Sequence, residues 1–302
     1  MTITSFYAAL IISISSTNQT THISVAEFIE RYGQEGIELL RNAEQEYIPS
    51  YSINIEGDSL RIEGDLTHSM YEEIARYLSE QAVKRIIISS PGGDIDAGIN
   101  IGFLIHQYKI DIEIVDTCNS SCANYLFTAA ANKTIHDGAT VIWHGNSQQK
   151  DFREFDLCGR TVSSFDGFPM DDDEVAELNT PALIQEWEAR RKREQDFYQL
   201  IGVSDYIARV GQEPEYYGNF TISVKDMLQF GVTNVHAAKN YGEVEYCDNV
   251  NKANSGVPLS CITVTPEHFK YEQHRKQFGE VCADDGTLMI NKGLNDLSSG
   301  GR

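Results

Sequence analysis

The chain has 302 residues, 41% hydrophobic and 10% aromatic, which supports one large folded domain with appendages, or two small ones, and excludes wholesale disorder. Its 45 acidic against 24 basic side chains leave a formal net charge of −21. A surface so acidic repels phosphate backbones, so no nucleic-acid partner is expected. The basic cluster Arg190-Arg191-Lys192-Arg193 does not change this. Glu186, Glu188, Glu194 and Asp196 flank it, the pattern of a solvated helix face.

In chain order, residues 6–14 form an apolar run too short for a membrane span, followed by a polar Ser/Thr/Asn stretch. Its length fits a secretory signal core, although no Lys or Arg precedes it; a buried strand or helix is the other reading. Residues 1–22 are therefore expected to be a leader, with the mature chain beginning near Ser15 to Thr21. The six cysteines point the same way, since an even number suits pairing in an oxidising compartment, periplasmic or extracellular. Fifteen pairings are open. Cys118 and Cys122 have a spacing that suits zinc or a short disulfide, but no second close pair follows, so no metal is expected.

Ser24 and Glu27 form a capping box ahead of Val25, Phe28, Ile29 and Tyr32 at helical spacing. Residues 52–55 and 59–63 read as a hairpin around Gly57-Asp58. A helix over 68–81, a buried strand over 85–89, a helix over 94–107 and a strand over 110–115 follow. Next come a helix over 121–131 and a strand over 139–144. This alternation predicts an α/β core with largely parallel strands. Residues 147–180 lose all periodicity around Asp171-Asp172-Asp173-Glu174 and read as an acidic surface insertion, a candidate lid. A long helix returns over 181–201, and 223–235 closes a main domain that spans 23–236. Residues 237–302, with three cysteines and much Gly, Asn and Ser, read as a loop-rich extension.

Three stretches carry chemistry. Ser90-Pro91-Gly92-Gly93 follows a buried strand, and paired glycines let backbone amides approach a ligand, as an oxyanion hole requires; a plain tight turn is the other reading. Cys118-Asn119-Ser120-Ser121-Cys122 places Ser121 at a helix start, where the positive dipole end favours a nucleophile, although serine there also serves as an ordinary N-cap. Val141-Ile142-Trp143-His144-Gly145 ends an apolar strand in a histidine. The other histidines lack this setting.

In that order the stretches resemble the proteolytic subunit family of the Clp protease. Ser90 to Gly93 and then Ala97-Gly98 match its Ser-Pro-Gly-Gly and Ala-Gly pair. Leu126-Phe127-Thr128-Ala129-Ala130 stands where the family has Leu-Leu-Thr-Ala-Gly, and counting back without a gap puts Ser121 at the nucleophile. His144 matches the catalytic histidine, and residues 223–232 match a late Ser-Ala-x-Glu-Ala segment. The resemblance covers about 53–145 and resumes with the long helix. It implies an α/β fold, a ClpP/crotonase-like spiral of β-β-α units with largely parallel strands. It further implies a serine peptidase acting on a peptide or protein substrate, a homo-oligomer, no cofactor and no stable membrane span. The implied site has Ser121 as nucleophile and His144 as base, with the backbone amides of Gly92, Gly93 and Cys122 holding the oxyanion.

The chain departs from the family at the triad acid, where Asn219 stands; an amide can orient a histidine but does not stabilise an imidazolium as a carboxylate does. Asp205, Glu215 and Asp226 are possible substitutes. Ser120 is the competing nucleophile if the turn is shifted by one residue. No Gly-x4-Gly-Lys-Ser motif occurs, so an unfoldase would be a separate chain. Two other functions fit the same architecture, a crotonase-type acyl-thioester enzyme and a catalytically silent assembly protein.

Overall fold

The computed structural model describes residues 48–148, 155–157, 160–162, 164–165, 168–169, 181–212, 217–253 and 258–278. The expected leader, the helix after it, Cys158, Cys282 and the last residues lie outside these.

The fold begins with β1 (Tyr51–Glu56) and β2 (Ser59–Gly64), antiparallel across the Gly57-Asp58 turn, as expected. Leu60 and Ile62 alternate inward from β2 and are fully buried. Helix α1 (His68–Glu80) starts where the Thr67 hydroxyl accepts from Met70 N–H, and it buries Met70, Ile74 and Leu78 at four-residue intervals. Strand β3 (Arg85–Ser90) then lies parallel to β2. Helix α2 (Ile95–Tyr108) is capped by Asp94 and leads to β4 (Asp111–Asn119), parallel to β3.

Strand β4 serves two neighbours in succession. Its first half, Ile112 to Ile114, pairs with β5 (Lys133–Ile135), and its last residues, Thr117 to Asn119, pair with β6 (Thr140–Ile142). Between them sits a bulge against β3: Ile88 faces Ile114, yet Ser90 already faces Cys118. The chain leaves β6 into a second small layer, where Trp143 bridges Phe220 in antiparallel fashion. Two short hairpins occur in the 147–180 stretch, β7 (Phe155–Leu157) with β8 (Arg160–Val162) and β9 (Ser164–Phe165) with β10 (Phe168–Pro169); apart from these and residues 147–148, that stretch lies outside the described residues. Helix α3 (Pro181–Ile201) packs on α2. Strand β11 (Phe220–Ile222), helix α4 (Val224–Gln229) and β12 (Val235–His236) complete the main domain, β12 pairing parallel to β5. The architecture is an α/β spiral with a mostly parallel sheet in the order β1-β2-β3-β4-β5-β12, the class the sequence implies.

Two expectations need correction. Residues beyond 236 are not loop-rich throughout: they form α5 (Val244–Ala253), β13 (Ser260–Ile262) and α6 (Pro266–Phe278). Strand β13 adds in parallel to β11, and a Cys247–Cys261 disulfide ties α5 to it. The charged face of α3 is not wholly solvated either. Arg190 is 9% exposed and pairs with Asp96 at the start of α2 (2.8 Å), and Glu194 is 0% exposed, whereas Lys192 and Asp196 do face solvent.

Helix α6 is held to the core by Phe269, whose ring lies 5.2 Å from that of Phe230, and by a buried ion pair. The fully buried Arg209 guanidinium bonds Glu272 at 3.0 Å and Asp205 at 2.9 Å. Removing one partner of a buried pair leaves an uncompensated charge. Glu272→Ala should therefore cost about 3 kcal/mol in urea-monitored unfolding; a change below about 0.5 kcal/mol, the ordinary surface range, would contradict this account.

Candidate functional site

The β4 bulge brings two turns together at one end of the sheet. In the Ser90–Gly93 turn, the Gly92 carbonyl accepts from Leu66 N–H (2.7 Å), and Asp94 N–H donates back to the Leu66 carbonyl (2.9 Å). Gly92 N–H donates to Ser90 Oγ (3.1 Å). The trans peptide points Gly93 N–H away from Leu66, and this amide makes no hydrogen bond among the described residues. Gly92 has φ 97°, and a Cβ there would lie 2.6 Å from the Asn119 carbonyl oxygen and 2.7 Å from Ser120 Cβ. Only glycine lets the first turn touch the second.

The second turn leaves β4 at Asn119. Ser120 N–H donates to the Ile142 carbonyl of β6 (3.0 Å), and the Ser120 carbonyl accepts from Asn124 N–H (2.8 Å). Ser120 itself has φ 56°, a left-handed conformation that costs a non-glycine residue about 1 kcal/mol. Ser121 has the right-handed φ of −56°, and from Cys122 to Phe127 the chain is π-helical, not α-helical as the sequence suggested. A Cys118–Cys122 disulfide, with Cα atoms 5.2 Å apart, closes the turn.

The two serines differ in surroundings. Ser121 is 1% exposed, its Oγ donates to the Gly93 carbonyl at 2.9 Å, and it makes no capping bond. Its Cβ lies against α2, where a Cβ on Gly98 would come within 3.1 Å of it. The Ser120 side chain stands over Gly92, and among the described contacts its hydroxyl has no hydrogen bond.

His144 follows Trp143, whose N–H and carbonyl exchange 2.9 Å bonds with Phe220. The bridge is isolated, and Asn219 directly precedes its Phe220 partner in sequence. The serine turn is linked to this strand end by Asn124 Nδ2, which donates to the Gly145 carbonyl (2.9 Å). Desolvation pushes the His144 imidazole down to about 4, so the ring is neutral at pH 7 and able to accept a proton.

Three buried polar atoms without a protein partner belong to residues flanking this site: Asn119 Oδ1, Asn124 Oδ1 and Trp143 Nε1. Such atoms are uncommon in folded proteins and concentrate where a ligand or solvent completes the bonding. The candidate acids are engaged elsewhere, Asp205 with Arg209 and Asp226 with Ser223 and Gln229, while Glu215 lies outside the described residues. Among the described residues no cluster of His, Cys, Asp and Glu is arranged to hold a metal ion. Sequence reasoning missed Asn124 and the π-helical turn, and no periodicity signal marks either.

No protein-family model matches the chain, and no curated protein does. Among solved structures it is similar to a mutant form of the 1510-N membrane-bound stomatin-specific protease, at 18% identity and a TM-score of 0.32, over 68% of this chain and 96% of that one. It is also similar to a Bacillus subtilis protein assigned as a polyketide-biosynthesis enoyl-CoA hydratase, at 11% identity and a TM-score of 0.30, over 68% and 78%. Likenesses this loose carry no chemistry across, which has to come from this chain's own residues.

Because the folded state holds His144 neutral while the unfolded chain protonates it near 6.5, acid favours unfolding. The histidine's contribution is complete above pH 6.5 and is lost as pH falls through about 4. Part of the ring meets solvent, so the loss should not exceed about 3 kcal/mol. Proton NMR should find one imidazole, absent from His144→Ala, titrating well below 6.5; a normal titration for that resonance would contradict the buried-base picture.

Proposed function

We propose that this chain is a serine-type hydrolase acting on peptide bonds, with Ser120 as the nucleophile in place of the Ser121 that gapless counting selects. The observation that supports this is the turn itself. A π-helical turn holds one residue more than an α-helical turn, so counting back from residues 126–130 without a gap stops one residue short of the equivalent position. Ser120 has the left-handed φ that a nucleophile elbow has, whereas the Ser121 hydroxyl is committed to the Gly93 carbonyl.

In this reading Ser120 Oγ attacks the scissile carbonyl. His144 takes the hydroxyl proton and returns it to the leaving amine. The oxyanion is met by Ser121 N–H, the amide following the nucleophile, and by Gly93 N–H, with Cys122 N–H next in the same helical start; each such donor is worth about a hundred- to a thousand-fold in rate. Gly92, whose amide serves Ser90, contributes by permitting close approach. Asn219 orients the imidazole from the facing strand without a compensating charge. The disulfides at Cys118–Cys122 and Cys247–Cys261 support an oxidising compartment and hence export. Assembly into a homo-oligomer rests on the Clp resemblance. Asn219 also favours a second reading, a catalytically silent assembly protein that keeps the fold.

Labelling with a fluorophosphonate, followed by peptide mapping, tests the assignment. The adduct should sit on Ser120. Ser120→Ala and His144→Ala should each lose nearly all hydrolysis of a small ester, and the double variant should lose little more. Ser121→Ala should keep most activity, and Asn219→Asp should raise it. An adduct on Ser121 would restore the gapless register. No adduct, together with no hydrolysis, would leave the silent-scaffold reading.

A further inference from the structure

Among the buried carboxyl groups that the mechanism does not use, Glu194 lies deepest of the described residues. Glu194, on α3, has no exposed surface, and burial raises its pKa. Simple packing would be served by a leucine here, since burying a carboxyl is costly unless its oxygens are bonded. Both oxygens are bonded, and they divide between the two halves of the site. Oε1 accepts from Tyr125 Oη at 2.5 Å, and Tyr125 belongs to the π-helical turn that begins beside the serines. Oε2 accepts from Ser147 Oγ and from Gln148 Nε2 (3.1 Å), three and four residues beyond His144.

Neighbouring contacts run the same way. One turn further along α3, Tyr198 Oη donates to the Asn124 carbonyl at 3.0 Å, and Asn124 reaches across to Gly145. Arg191, on the same helix, donates from Nε to the Ser147 carbonyl at 2.6 Å. Helix α3 thus grips the serine turn and the segment after the histidine at once: Glu194 is bonded to both through its two carboxyl oxygens, and Tyr198 also reaches Asn146.

We propose that Glu194 is a positioning residue, fixing the separation of the Ser120 turn and His144 by holding Tyr125 on one oxygen and Ser147 with Gln148 on the other. This rests on the serine-hydrolase reading. A base and nucleophile displaced by about 1 Å can lose about a hundredfold in rate while substrate binding elsewhere is untouched. The carboxyl touches neither reacting atom, so its effect falls on kcat and not on KM.

The test compares wild type with Glu194→Ala, Glu194→Gln and Tyr125→Phe by ester kinetics, thermal unfolding and NMR titration of His144. Glu194→Ala should lower kcat by about ten- to a hundredfold with KM within about twofold, and should move the His144 titration up toward that of a solvated imidazole. Glu194→Gln, which keeps an acceptor for Tyr125 and a polar neighbour for Ser147, should restore most of kcat. Tyr125→Phe releases only the serine side, so it should lower kcat and leave the His144 titration in place. A folded Glu194→Ala protein with wild-type kcat and an unmoved His144 overturns the proposal. If that variant fails to fold, Tyr125→Phe and Ser147→Ala decide it, and wild-type kcat in both overturns it. A wild type that takes up no fluorophosphonate and hydrolyses nothing sinks the hydrolase reading instead, and the His144 titration then still judges whether Glu194 holds that segment.

Discussion

Strand β4 changes partners halfway along its length, and the site depends on that change. Its first half is an interior strand of the parallel sheet, with Ile112 and Ile114 buried between β3 and β5. Had it continued in register with β3, Ser90 would face residue 116, and the glycine turn would end well short of the serine turn. The bulge between these pairings adds two residues to β4, so Ser90 faces Cys118 and the two turns arrive together. Its far end then pairs with β6, the strand that leads into His144. One irregularity in hydrogen-bond register therefore brings the glycine turn against the serine turn and sets the serine turn beside β6.

The site that results is poor in local stability. Ser120 sits in a left-handed conformation, Ser121 does not cap its helix, and three buried polar atoms lack protein partners. What holds it is external to the turn. A disulfide spans it, Gly92 packs on it without a side chain, and Tyr125 packs edge-on against Phe197 of α3. Local strain that survives only because the surroundings over-determine it is a common property of reactive sites. The serine pair illustrates why both partners matter. Adjacent identical residues have opposite fates because one lies on the left-handed side of the turn and the other on the helical side.

Much of the scaffold was legible in the sequence. The hairpin around Gly57-Asp58, the alternation of strand and helix through Asn119, and the helix over 181–201 follow from period-two and period-3.6 patterns that burial imposes directly, whereas the three-residue β5 was missed. The three motif stretches were legible too, and the fold does place them at one end of the sheet. The π-helical form of the serine turn was not, because the pattern of apolar residues does not reveal it. Glu194 was hidden for a different reason. It sits in a run of charges on a helix that looks uniformly solvated, and only the packing of α3 over the segment following His144 separates the buried charges from the exposed ones. Helix α6 escaped notice because Phe269 and an ion pair to Arg209 attach it without a regular apolar stripe.

That attachment bears on where the molecule can be divided. Strand β13 lies alongside β11, and Ser260 N–H donates to the Asn219 carbonyl at 2.9 Å, so the backbone of Asn219 is propped by a segment more than forty positions later. A fragment cut after residue 236 would keep every residue of the candidate site and lose the splint beneath one of them. Composition invites a boundary there; hydrogen bonding does not permit one. The late segment is better regarded as a buttress contributed in trans-sequence to the site, which gives selection, and protein engineering, a handle on the histidine's surroundings from residues that never approach a substrate.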